Sequence, residues 1–112
     1  MMAMNDPSTG EPAHAVEDVS GLDGLADAVL TLRNRDEARR FLRDLCTLGE
    51  LEALAHRWQI ALLLADGRSY LDIAETVQTS TATVTRVAHW LRHGAGGYDL
   101  VLGRVAPRSR GR

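Results

Sequence analysis

The sequence predicts an all-α chain: about six helices, two of which form a helix-turn-helix over residues 69–93. Three observations carry that prediction. Apolar residues recur at three- and four-residue intervals in one segment after another. Capping residues such as Asn34, Thr47, Ser69 and Ser80 stand just ahead of those segments, and Gly67 and Gly94 close two of them. No segment combines strand alternation with hairpin-turn residues.

Each element has its own justification. Residues 1–18 are rich in Met, Pro, Ser, Gly and acids and lack an apolar period, so they are expected to form a disordered acidic arm. Leu22, Leu25, Ala26, Val29, Leu30 and Leu32 form the stripe of a first helix. Asn34 caps a second helix that runs to about Cys46. Asp36 and Glu37 lie in its first turn, where the helix dipole favours acids. Its residues Ala38, Phe41, Leu42 and Leu45 are expected inward. Thr47 and Glu50 have capping-box spacing and open a third helix that ends at Ala65. That helix is apolar over much more than one stripe, from Leu51 through Leu64, so it is expected to be covered on several sides. In a chain of 112 residues, a second subunit is the simplest source of that cover. Ser69 caps a short fourth helix ending near Val77. Thr79 or Ser80 caps a fifth that reaches His93. Residues 98–105 are apolar enough for a last short helix, and residues 106–112 are expected to be a basic flexible tail. The domain is therefore expected to span residues 19–105.

Composition narrows the function classes. Apolar residues make up 45% of the chain but aromatics only 4%, so the core must be built from Leu, Ala, Val and Ile. The single cysteine, Cys46, has no partner for an intramolecular disulfide and reads as a small buried residue. No apolar run approaches the roughly 18 residues of a membrane span, and no secretory signal opens the chain, so a cytoplasmic protein is expected. The net charge of -2 conceals a dipolar chain. Residues 1–32 carry six acids and no Arg or Lys, whereas residues 76–112 carry six arginines against Asp99 alone. Charge gathered in this way suits a polyanion-binding face. His89 and His93 lie four apart, but no third or fourth ligand candidate accompanies them, so neither a metal nor a cofactor is expected. Nucleophile–base pairs and phosphate loops are also missing, which argues against an enzyme.

The segment from Ser69 to Val87 has the internal logic of a helix-turn-helix. Ala74 is small where two helices must cross. Ile73 and Val77 on the first helix, and Val84 and Val87 on the second, are apolar where the helices meet. The remaining positions are short, polar or basic, as a surface facing the major groove requires. The candidate DNA-binding residues are Thr79, Ser80, Thr81, Thr83, Thr85, Arg86 and His89, joined by Ser69 and Tyr70 at the start of the first helix. Four threonines in seven residues are poor helix formers. Their hydroxyls suit phosphates and base edges, and their methyls suit thymine. Arg86 can clamp a guanine edge or a phosphate. The turn of such a motif commonly holds a glycine, where the backbone is left-handed, but here the residue is Gln78.

From Leu48 to Leu91 the chain resembles the Trp repressor family, and most closely its YerC/YecD branch. The residues that carry the resemblance are ELEALAHRWQIALLLADG and SYLDIAETVQTSTATVTRVAHWL, with TATVTR resembling the recognition-helix signature. The resemblance implies a Trp-repressor-like subunit in an intertwined homodimer whose two heads enter successive major grooves of a near-palindromic operator. It also places Arg57, Thr83 and Arg86 at positions that hold tryptophan in the Trp repressor. Val87 replaces the small glycine of that pocket, so the pocket is expected to be vestigial and tryptophan is not expected to bind. Arg57 is then free to pair with an acid such as Asp72. The expected function is sequence-specific binding of double-stranded DNA by a homodimeric transcriptional repressor. Two alternatives stay open: a protein-interaction module on the same scaffold, and a regulator gated by a small ligand other than tryptophan.

Overall fold

A computed structural model describes the backbone of residues 19–110 and the side chains through Val105. The arm expected over residues 1–18 lies outside the described residues, as do Gly111 and Arg112. Six α-helices follow one another: α1 (Leu22–Leu30), α2 (Arg35–Leu45), α3 (Leu48–Ala65), α4 (Tyr70–Val77), α5 (Thr81–His93) and α6 (Gly97–Arg110). There is no strand among the described residues. The chain divides into two compact units, one ending at Cys46 and the other beginning at Thr47.

The helix starts follow the capping chemistry. The Asn34 side chain accepts from the Glu37 N–H at 2.9 Å, and the Glu37 carboxylate accepts from the Arg33 N–H at 3.0 Å. Thr47 and Glu50 form a reciprocal capping box, with bonds of 3.1 and 2.8 Å. Ser69 accepts from the Asp72 N–H and Ser80 from the Thr83 N–H, each at 3.1 Å. Of the two candidate caps for α5, Ser80 therefore takes the role. Each such cap satisfies an amide that the helix itself leaves unpaired, a contribution of about 1 kcal/mol.

The helix ends are equally local. Beyond α3 the Gly67 N–H reaches the Leu64 carbonyl and the Arg68 N–H reaches the Leu63 carbonyl, with Gly67 at φ 85°. This pair of bonds is a Schellman closure, which needs a left-handed residue. Helix α5 stops at Gly94, where a Cβ would sit 2.5 Å from the Trp90 carbonyl oxygen. Helix α6 extends past its expected end at Val105 to Arg110, so residues 106–110 of the anticipated tail continue the helix. Pro107 costs a helix one hydrogen bond, and here it does not end it.

The unit that begins at Thr47 holds the core. Ile60 and Ala61 of α3, Ile73, Ala74 and Val77 of α4, and Val84, Val87 and Ala88 of α5 are buried, together with Leu102 of α6. Trp58, Leu63, Leu64, Tyr70 and Tyr98 pack around this cluster. In the other unit, α1 and α2 contain no buried residue. Phe41 and Ala38 are half-buried there, but Leu42, Leu45, Val29 and Leu30 are exposed rather than inward as expected. The first half of α3 behaves similarly, with Leu48 and Leu54 exposed. The apolar faces exist as expected, and among the described residues these side chains stay exposed. Cys46 is half-buried and free.

Candidate nucleic-acid interface

Helices α4 and α5 are clamped together by Ile73, Ala74 and Val77 against Val84 and Val87, the residues that the crossing requires. Between them Gln78 adopts φ 64°, ψ 56°, the left-handed conformation usually given to glycine. The Gln78 and Thr79 amides both reach the Ala74 carbonyl, which closes α4 and turns the chain sharply into α5. A non-glycine residue in this region costs about 1 kcal/mol, so the turn is kept by the packing on either side of it.

With one face of α5 held in the core, its opposite face is fixed toward solvent. At about 100° per residue, Thr81, Arg92, Thr85, His89, Ala82, His93 and Arg86 fill one continuous arc of about 140°. All seven are exposed. Five of the expected contact residues fall elsewhere. Thr83 lies on the half-buried flank, with its hydroxyl 3.1 Å from that of Ser80. Ser80 and Ser69 act as caps, and their exposed positions bring the first amides of α5 and α4 to the surface. Thr79 sits half-buried in the turn. Tyr70 packs against the core, and its hydroxyl accepts from the Arg92 guanidinium at 3.5 Å.

Arg92 was missed as a member of this surface. Its signal was present in the sequence, because it follows Thr85 by seven residues and His89 by three and so shares their face. Helix α5 has no acid in its first turn and two basic residues, Arg92 and His93, in its last. Arg68 was missed as well. It pairs with Asp72, its neighbour four residues on, and its guanidinium also reaches the Thr76 hydroxyl at 3.5 Å. The Arg68 hydrogen bond holds the Asp72 carboxyl below the ordinary aspartate range, and Asp72 in turn raises the arginine. Asp72 is therefore engaged by Arg68 and not by Arg57, because a partner at i,i−4 is already in reach.

The residues of the expected vestigial pocket differ in exposure. Arg57 and Arg86 are exposed, Thr83 is half-buried, and Val87 is 2% exposed within the core. Burial raises the Tyr98 phenol above its ordinary value, and the nearby Arg57 charge opposes that rise. No helix among the described residues is long and apolar enough to cross a membrane.

Two short helices crossing over a buried seam, with a polar and basic face held outward, define a helix-turn-helix protein. The chain belongs to the Trp repressor family, whose model, described as Trp repressor protein, matches residues 20–106. The Bacillus subtilis (strain 168) protein YerC is 39% identical over 84 residues, covering 75% of this chain and 81% of YerC. A TrpR-like protein from Eubacterium eligens ATCC 27750 superposes with a TM-score of 0.73 at 41% identity, covering 79% of this chain and 91% of that one. A Trp-repressor candidate from Staphylococcus aureus gives a TM-score of 0.75 at 39% identity, with 81% and 93% covered. Membership of this family places the chain among helix-turn-helix DNA-binding regulators and not among enzymes.

Proposed function

We propose that the chain is a sequence-specific transcriptional repressor that binds double-stranded DNA as a homodimer, with α5 of each subunit in a major groove. One observation carries this reading: α5 is locked by Val84, Val87 and Ala88 on one face and presents Thr81, Thr85, Arg86, His89 and Arg92 on the other. A recognition helix needs both a rigid seat and short polar side chains toward the base edges. Thr81, Thr85, Arg86 and His89 meet bases or phosphates. Ser69, Tyr70, Thr79 and Ser80 bring the surrounding backbone against phosphates, and Thr83 serves by holding the α5 cap. The exposed apolar residues of α1, α2 and the first half of α3 support dimerisation, which would bury them. Val87 in the core supports a repressor that does not need tryptophan.

Fluorescence anisotropy with a labelled duplex tests this reading. Affinity should fall steeply between about 50 and 300 mM salt, as phosphate contacts release counterions. Arg86→Ala should weaken binding by about 1–3 kcal/mol and leave the helical content unchanged. A salt-independent affinity, or an Arg86→Ala chain that binds as well as the parent, would overturn it. Added tryptophan should change neither the affinity nor the melting temperature.

A further inference from the structure

The C-terminal half of α5 pairs two side chains in a way that DNA contact does not explain. His89 and His93 are one helical turn apart, so both rings leave the same face. Both are exposed, and their ring centroids lie 4.9 Å apart with planes inclined at 43°. Two imidazoles bound to one cation, each through a nitrogen about 2.0–2.1 Å away, have centroids about 4.5–5.2 Å apart at angles from square to tetrahedral. The observed spacing falls inside that window. We propose that His89 and His93 together bind a late first-row divalent metal ion such as Ni²⁺ or Zn²⁺.

The surroundings suit a cation. His93 is the last residue of α5, where unpaired carbonyls make the helix end negative. Arg92 lies between the two histidines in sequence, but its guanidinium is directed to the Tyr70 hydroxyl on α4. Trp90 meets the His89 ring edge-on, with centroids 4.6 Å apart, which restricts that ring and places an indole beside the site. Among the described residues no group of three or more His, Cys, Asp or Glu could hold a metal. The described residues therefore supply two ligands, and water would fill the other positions. Imidazole donors favour nickel and zinc over magnesium and calcium.

His89 also belongs to the surface proposed to meet DNA, so metal uptake and duplex binding are linked. The test is made without DNA, which keeps its failure separate from failure of the duplex reading. The full chain is titrated with Ni²⁺, Zn²⁺ and Mg²⁺ near neutral pH, following indole emission and calorimetric heat. One Ni²⁺ or Zn²⁺ should bind per chain, with Ni²⁺ quenching Trp90, and Mg²⁺ should have no effect. His89→Ala and His93→Ala should each weaken uptake roughly tenfold or more, since each removes one of two chelating ligands. A His14→Ala/His56→Ala chain should bind like the parent, and circular dichroism should show all four chains equally helical. Parental affinity in both single variants, or no saturable uptake of either ion, would overturn the proposal.

Discussion

The two units of this chain are built from the same kind of amphipathic helix and reach opposite outcomes. From Thr47 onward, α3, α4, α5 and α6 close on one another, and Ile60, Ile73 and Val84 lose all contact with solvent. Before Thr47, α1 and α2 bury no residue completely. Leu30 remains 81% exposed and Leu45 51% exposed. The difference shows that an apolar stripe does not by itself decide whether a face is covered within its own unit. In the later unit the cover is the next helix along. In the earlier unit the cover is proposed to be a second copy.

The largest test of this contrast is inside the core. Ile60→Ala should lower stability by about 2–5 kcal/mol in chemical denaturation, by the same amount at every protein concentration. Next comes the arm. A Leu30→Asp/Leu45→Asp chain should self-associate roughly 100-fold more weakly in sedimentation equilibrium, about 2.7 kcal/mol, because charges would enter the proposed interface. A parental dimer with both aspartates would place the interface elsewhere. Gln78→Gly should raise the stability of the later unit by about 0.5 kcal/mol, as relief of the left-handed strain exceeds the added unfolded-state entropy. The smallest effect is the acid response of Asp72. Its folded-state pKa is depressed by Arg68, so the stability it contributes is present above the unfolded aspartate value and lost as pH falls through the lower folded one. Asp72→Asn should remove that contribution, flattening the stability profile below about pH 4 and leaving the shape above it unchanged.

What was legible in the sequence was mostly local. The caps at Asn34, Thr47 and Ser69 depend on residues three positions apart, and the Gly67 closure depends on one left-handed residue. The seam of Ile73, Ala74, Val77, Val84 and Val87 could be read because two short helices and a tight turn leave few ways to cross. The exposure of Leu42 and Leu45 was not legible, since periodicity carries no information about whether a covering surface belongs to the same chain. The Arg68–Asp72 pair was passed over for Arg57 because a pocket correspondence outweighed the simple i,i+4 geometry. Arg92 was lost by ending the contact surface at His89, although the helix carries the same face one turn further. Gln78 shows the opposite lesson: the residue that fits the motif least occupies the left-handed position all the same, held by packing that no single-residue preference describes.

Whether two heads on one dimer read DNA is decided by selecting bound sequences from a random duplex pool. A near-palindromic site should be enriched, with half-sites about one helical turn apart, roughly 10 base pairs centre to centre. Arg86→Ala should lose that enrichment. Recovery of no preferred sequence, or of a single unpaired half-site, would contradict the account.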